Sequence, residues 1–467
     1  MSSPFTPRPY QALAVDFMIA NPRCALYAGM GLGKSASTLM TIDALSLVED
    51  VYPVLIIAPL RVARKTWREE VGKWDCFKHL RVSQIVGSPV ERKTALNAKA
   101  EIYTTNYENL EWLIEQCGDK WPFKTIVCDE SSKLKNFRGS IQTSKTGKQF
   151  IRCDTGKRTG ALAKVAFKSP RFIALTGTPA ANGIANIWGQ LWFLDGGQRL
   201  GRTFGDFAGR WFTPHPSGFG IVPRPTAQAE VQKLIGDIAL TINPADWFDL
   251  PVPIERIIEI DLPSKARSLY NEMEKRMFVE VADTEVEAAN AASKSIKCLQ
   301  LASGALYTDE DGSWVETHDE KILALQEIVD QADGMPVLVA YQFKSDLARL
   351  LKAFPKGRAL QTEKDEDDFK AGKIPVLFAH PASAGHGIDG FQKVTNIIVF
   401  FSGWWDLELR QQIIERIGPV RQIQSGMNRP VFIYDIVAKK TVDELVLERH
   451  KTKATVQEIL LAALNRR

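Results

Sequence analysis

Residues 24–47 read CALYAGMGLGKSASTLMTIDALSL. The apolar run Cys24 to Ala28 has the length of a buried strand, and Ala36 to Leu47 has the pattern of a helix. Between them lie Gly29, Met30, Gly31, Leu32 and Gly33, followed by Lys34 and Ser35. That context gives the spacing a mechanism. Glycines let successive backbone N–H groups face an anion, the helix start adds positive potential, and a lysine at this position reaches the β- and γ-phosphates of a bound nucleotide. Ser35 is the expected ligand of the accompanying Mg²⁺. Ala28 stands where the strict pattern has glycine, a tolerated variant. The stretch predicts a nucleoside-triphosphate loop on a parallel α/β sheet.

Downstream, TIVCDE at 125–130 is an apolar strand that ends in two carboxylates. At the C-terminal edge of a sheet this puts Asp129 in place to hold Mg²⁺, directly or through water, and Glu130 to polarise an attacking water. Working outward, short β-branched and aromatic runs alternate with amphipathic stretches. Strands are expected at Cys24–Ala28, Val54–Ala58, Glu101–Thr104, Thr125–Cys128 and Phe172–Leu175. A second set follows at Pro336–Ala340, Pro375–Phe378, Asn396–Phe400 and Val431–Tyr434.

The fold class is therefore α/β, with two tandem doubly wound parallel-sheet lobes and helical insertions between them. Residues 1–190 form the first lobe, 191–320 the insertions, the linker and the entry to lobe 2, and 321–467 the second lobe with a C-terminal helix. Within the insertions, Ile187–Leu194 and Phe204–Phe212 read as aromatic-rich helices. Thr213–Thr226 carries too much Pro and Gly for a regular helix. Ser264–Leu301 reads as helical, and Thr441–Arg467 as a Leu-periodic helix packing on lobe 2.

At 467 residues the chain exceeds one ordinary domain, and its 45% hydrophobic and 24% charged content fits a soluble protein. No apolar run approaches the ~18 residues that span a bilayer, and the start MSSPFTPRPYQ lacks a signal-peptide pattern. Cytoplasm or nucleoid is the expected location, with no membrane contact. Six cysteines without a C-x-x-C pair give neither a disulfide framework nor a zinc site. The net charge of +4 is only mildly basic. Between Lys133 and Arg171, however, eleven cations (Lys133, Lys135, Arg138, Lys145, Lys148, Arg152, Lys157, Arg158, Lys164, Lys168, Arg171) face one acid, Asp154. A solvated loop and a phosphate-contacting surface both fit that run.

The ordered motifs resemble those of Snf2-type superfamily 2 helicase-like ATPases over nearly the whole chain. RPYQ at 8–11 resembles the family's adenine-reading segment, and MGLGK at 30–34 its phosphate loop. PL at 59–60 with WREE at 67–70 and KW at 73–74 resembles motif Ia and its helix; TTNYE at 104–108 and DESSKLKN at 129–136 resemble the next two motifs. LTGTP at 175–179, with Asn182 and Trp188, resembles motif III. In the second half, 337–342 with Leu347 and Leu350 resembles motif IV, SAGHGID at 383–389 motif V, and QIIERIGPVRQ at 412–422 motif VI.

The resemblance implies two RecA-like lobes and ATP hydrolysed to ADP and phosphate between them, with Arg8 and Gln11 at the adenine and Gly387 and Asp389 near the nucleotide. It also implies arginines from motif VI that stabilise the transition-state charge. The second family arginine falls on Pro419, which leaves Arg416 and Arg421 as unranked candidates. Duplex DNA is the implied partner, held through its backbone independently of sequence by Arg61, Lys65, Thr105, Lys133 and Lys135 on lobe 1 and Ser383 and Gly385 on lobe 2. ATP-driven opening and closing of a monomer would then produce stepping. A strand-separating DNA or RNA helicase and a remodeller that displaces proteins from DNA are the alternatives.

Three departures matter. Ser132 replaces the histidine of the DEAH-type box, the 137–166 connection is long and basic, and IALTINPADW at 238–247 lacks the arginines expected there.

Overall fold

The computed structural model describes residues 4–452 except 30, 144–148, 154–155, 178, 181–182, 215–220, 283–287, 309–311, 385–387 and 428. Only the backbone is described for 149, 157, 278–282 and 288–294. Met30, Lys145, Lys148, Asp154, Thr178, Asn182, Gly385, His386, Gly387 and residues 453–467 of the expected C-terminal helix thus lie outside the described residues, and Lys157 is described by its backbone alone.

Every residue of Val54–Ala58, Ile102–Asn106 and Thr125–Asp129 is buried. Such uninterrupted burial is what a parallel strand covered by helices on both faces requires. The strands of the first half are β1 (Arg23–Ala28), β2 (Val54–Ala58), β3 (Val82–Ile85), β4 (Ile102–Asn106), β5 (Thr125–Asp129), β6 (Gly139–Thr143), β7 (Gln149–Cys153), β8 (Arg171–Thr176), β9 (Phe212–Pro214), β10 (Ile221–Pro223) and β11 (Ala239–Ile242). Seven of them form one sheet in the order β11-β1-β8-β5-β2-β4-β3, with every neighbouring pair parallel.

The second half holds β12 (Ile254–Ile260), β13 (Ala305–Tyr307), β14 (Trp314–Glu316), β15 (Val337–Ala340), β16 (Arg358–Ala359), β17 (Val376–Ala379), β18 (Ile397–Phe400) and β19 (Phe432–Ala438). Here the sheet runs β12-β19-β18-β15-β17-β16, again parallel throughout. Two doubly wound parallel sheets were expected, and two are present.

The chain packs as two units, Met1–Phe248 and Asp249–Arg467. This division falls inside the segment 191–320 expected to join the lobes. In the first unit, Ala185–Asp195 and Phe204–Trp211 are helices, as the aromatic pattern predicts, and IALTI ends as β11 beside β1. β11 is short and only partly buried, so its pattern gave no strand signal. In the second unit, β12 adds an edge strand to β19, and the expected helical stretch is two helices, Ser264–Ala282 and Ala288–Ser303. The basic connection contains an antiparallel hairpin, β6–β7, and the helix Lys157–Ala166.

The first unit's core is aromatic where the connection leaves β5. Phe137 lies 4.5 Å from Trp192 and 4.8 Å from Phe193 between ring centroids, and all three are fully buried. This packing fixes the start of the basic connection against the helix Ala185–Asp195.

Candidate functional site

The strand order β1-β8-β5 puts three loop starts side by side at one edge of the first sheet: the glycine loop after Ala28, the turn after Thr176 and the carboxylates at Asp129 and Glu130. Ligands of open α/β sheets bind outside this C-terminal edge. Gly31 and Gly33 have φ of 81° and 75°, a left-handed conformation that favours glycine. Gly33 then caps the helix Lys34–Ser46. Lys34 Nζ donates to the carbonyls of Ala28 at 2.7 Å and Gly29 at 3.3 Å, within the loop it is expected to leave for phosphates.

Gln11 is buried against this loop. Its Nε2 donates to Leu32 O at 3.4 Å and its Oε1 accepts from Arg8 N at 2.9 Å. A Cβ on Gly33 would sit 2.1 Å from Gln11 Nε2. The adenine-reading candidates Arg8 and Gln11 are thus brought to the glycine loop, with Gln11 bonded to it. Pro244, just after β11, also approaches the loop, 3.4 Å from where a Gly29 Cβ would lie. Phe248 and Trp247 pack edge-on against Tyr10, and Arg8 lies over Phe248 at 6.0 Å. The motif reading gave these post-β11 residues no role beside the nucleotide loop.

Asp129 is buried, which pushes its carboxyl above the usual range, while the Lys34 charge and a hydrogen bond from Trp67 pull the other way. Its Oδ2 accepts from Trp67 Nε1 and its Oδ1 from Glu130 N, each at 3.1 Å. Glu130 is itself buried and left-handed, with φ 56° and ψ 54°, a conformation that non-glycine residues adopt at a cost of about 1–2 kcal/mol. Tyr107 holds that turn: its Oη lies 2.9 Å from Asp129 O and 3.4 Å from Glu130 O. Ser131 Oγ donates to Gln190 Oε1, and Gln190 Nε2 donates to Pro179 O at 2.7 Å, so the loops after β5 and β8 share one side chain. Trp67, Tyr107 and Gln190 were not singled out as site residues. Nothing in the local pattern around an indole, a phenol or an amide says what its polar atom meets, and only the fold shows where those atoms end.

A divalent cation fits this donor set. Among the described residues no cluster of three or more His, Cys, Asp or Glu could hold a metal. A Mg²⁺ ion that arrives on phosphates needs only one or two protein oxygens, and Asp129 and Ser35 are the candidates.

The nucleic-acid candidates fare unevenly. Arg61 and Lys65 flank and occupy a π-helical turn, Val62–Thr66, after β2, with partly exposed side chains. Lys133 is exposed and Lys135 half-buried. Thr105 is a correction: it is 0% exposed, and its Oγ1 donates to Ile85 O at 3.0 Å, so it faces the interior between β4 and β3. Two cations of the basic run also serve packing. Arg138 stacks 3.7 Å above Phe204, and the buried Arg171 guanidinium pairs with Glu49.

In the second unit, Asp389 Oδ1 accepts from Arg421 Nη1 and from Gln392 Nε2, and Arg416 Nη1 donates to Ile388 O at 2.7 Å. The structure thus joins motif V to motif VI through both arginine candidates. Ser383 is exposed in the helical turn Pro381–Ala384. Arg410 is an arginine the motifs did not flag. It makes a bidentate pair with Asp435 at 2.7 and 2.8 Å, and stacks 3.9 Å over Phe400.

The family model of the SNF2-related domain matches residues 10–303. The chain is similar to putative protein p41 of Acyrthosiphon pisum secondary endosymbiont phage 1, at 49% identity over 99% of both chains. It is also similar to an uncharacterized ATP-dependent helicase of Mycoplasma genitalium, at 22% identity over 93% of this chain; it spans 40% of that protein's length. Among solved structures, the SWI2/SNF2 ATPase core of Sulfolobus solfataricus in complex with dsDNA aligns over 95% of this chain and 90% of its own, at 21% identity and a TM-score of 0.45. The matched model and the near full-length relative mean that the chain belongs to the SNF2-related family of helicase-like, ATP-hydrolysing enzymes.

Proposed function

We propose that the chain is a motor on double-stranded DNA that draws its energy from ATP bound at the first unit's glycine loop. The observation that carries the reading is the convergence of the glycine loop with Lys34 after β1 and the buried Asp129 at the end of β5, with β8 between the two strands, where the Lys34 charge favours the Asp129 carboxylate and Glu130 is held beside it in a left-handed turn. A triphosphate there would take Lys34 from the Ala28 and Gly29 carbonyls to its own oxygens. Ser35 and Asp129 would hold Mg²⁺, which would supply charge neutralisation at the phosphates. Glu130 orients and polarises the attacking water, and Arg416 and Arg421 supply positive charge to the transition state. Gly31, Leu32 and Gly33 line the phosphates, and Asp389 acts through its pair with Arg421.

DNA would be held at Arg61, Lys65, Lys133, Lys135 and Ser383 through phosphates, which supports binding that is indifferent to sequence and weakened by salt. Similarity to a phage protein supports action in a host cytoplasm.

The test is ATP turnover without nucleic acid and with duplex DNA, single-stranded DNA or RNA, alongside displacement of a triplex-forming strand. Duplex stimulation with triplex displacement is expected. Stimulation by single strands or RNA and none by duplex would favour a strand-separating helicase and end the duplex reading. Lys34→Ala is expected to abolish turnover, whereas Glu130→Gln retains nucleotide binding and loses hydrolysis. Arg416→Ala and Arg421→Ala are expected to slow turnover by about 10³-fold if each acts as the finger; near-normal turnover in both removes the arginine assignment.

A further inference from the structure

Trp67 is 0% exposed, yet its polar atom is not idle: the indole N–H ends on Asp129 Oδ2. The same residue opens the helix Trp67–Lys73, which continues directly from the π-helical turn Val62–Thr66. Arg61 precedes that turn and Lys65 lies in it. The turn's backbone is pinned where Thr104 Oγ1 donates to Ala63 O at 2.7 Å. A π-helical turn is rarer than the α-helix it interrupts and is found frequently at functional sites. One short stretch therefore carries Arg61, Arg64 and Lys65 at and around the π-helical turn and, directly after it, the hydrogen bond that orients a buried carboxylate.

The Asp129 carboxylate has a donor on each oxygen, Glu130 N on Oδ1 and Trp67 Nε1 on Oδ2. The first donor belongs to the next residue on the same strand end and moves with it. Trp67 comes from another element, 62 residues away in sequence, so a shift of that element changes the carboxylate's orientation. A hydrogen bond to an ionised group is about twice as strong as a neutral one, which makes this the most direct route from the turn to the cation site.

We propose that Trp67 is a positioning residue that couples DNA held at Arg61 and Lys65 to the cation-binding carboxylate of Asp129. The inference rests on the DNA-motor reading and deepens it. Phosphates that draw on Arg61 and Lys65 move the turn, the turn carries Trp67, and the indole sets how Asp129 presents its free lone pairs to the cation.

Trp67→Phe keeps an aromatic ring and removes the N–H. Three quantities are read: the Mg²⁺ concentration that half-saturates binding of a fluorescent ATP analogue with and without duplex, the duplex affinity at fixed salt, and the duplex stimulation of turnover. In the unaltered chain, duplex is expected to lower the Mg²⁺ requirement. In Trp67→Phe both that shift and the stimulation ratio should fall about tenfold, the weight of one charge-assisted hydrogen bond, with duplex affinity held within about twofold.

A Mg²⁺ shift and stimulation equal to those of the unaltered chain would overturn the inference and make Trp67 core packing. So would a loss of duplex affinity in proportion to the loss of stimulation. Where Trp67→Phe fails to fold, Thr104→Val releases Ala63 without touching Asp129 or either cation. It should lower the same stimulation ratio, and an unchanged ratio overturns the coupling. Should the unaltered chain show no duplex stimulation at all, the motor reading fails, and this inference fails with it.

Discussion

Gly33 and Gln11 make a quantitative test of how the nucleotide loop is held. Gly33 has φ 75°, so alanine there incurs about 1 kcal/mol of left-handed strain. Its Cβ would also lie 2.1 Å from Gln11 Nε2, a contact relieved only by swinging the amide away. That motion gives up the bonds to Leu32 O and from Arg8 N, each worth about 1 kcal/mol net. Gly33→Ala should therefore destabilise the first unit by about 2–3 kcal/mol, from strain plus two lost bonds. In a Gln11→Ala background the clash and the bonds are already gone, and the same substitution should cost only the strain, about 1 kcal/mol.

The assay is a double-mutant cycle by urea titration of the full chain, read by tryptophan fluorescence. Eight of the eleven tryptophans lie in Met1–Phe248, so the signal is weighted to that unit. Additive costs, with a coupling below about 0.3–0.5 kcal/mol, would show that Gln11 does not brace the loop and refute the reasoning.

Three further outcomes follow from particular contacts. For DNA, Lys133→Ala and Lys65→Ala should each reduce the slope of log affinity against log salt by about 1, whereas Thr105→Val, whose hydroxyl is buried on Ile85, should leave it unchanged; a reduced slope in Thr105→Val would put that residue back on the DNA surface. In the second unit, Arg410→Ala strands a buried Asp435 and should cost about 3–5 kcal/mol by urea titration. An Arg410→Met, Asp435→Leu pair should recover most of that loss, and failure to recover would show that shape, not charge, dominates. Finally, burial lowers His318 to about 4; Leu301 O holds its Nε2, and Glu320 N donates to its Nδ1 at 3.3 Å. The unfolded imidazole takes a proton near pH 6.5 and the folded one does not, so this contribution to stability is present above pH 6.5 and is lost as pH falls toward 4. Melting temperature against pH checks it: the steepening between pH 6.5 and 4 should weaken in His318→Gln, and an identical profile would remove His318 as the cause.

Much of the first unit was legible because its signals are local. β1, β2, β5 and β8 were expected to within one residue at each end, since apolar runs bounded by Gly, Pro or charged residues suffice to define buried strands. Within the seven-stranded sheet the two that escaped, β3 and β11, are its edge strands with partly exposed residues, so they show neither a continuous apolar run nor clean alternation; the short pairs β6–β7 and β9–β10 outside that sheet were not expected either. Thr105 misled for a related reason. A hydroxyl in a motif reads as a surface donor until the register Ile85↔Thr105 sets it against a neighbouring strand.

Sequence alone determined the fold class, the loop from Gly29 to Ser35, the carboxylate pair and the family resemblance. Each depends on spacing within a dozen or so residues or on the order of such groups. Tertiary structure decided what joins them: β8 between β1 and β5, Gln11 under Gly33, Tyr107 beneath the Glu130 turn, and Trp67 on Asp129. The three side-chain partners lie 22 to 62 residues apart in the chain, and β1 and β8 pair residues 149 apart (Arg23 with Phe172). Hydrogen-bond direction at that separation is set by strand order and helix packing, which no local pattern encodes.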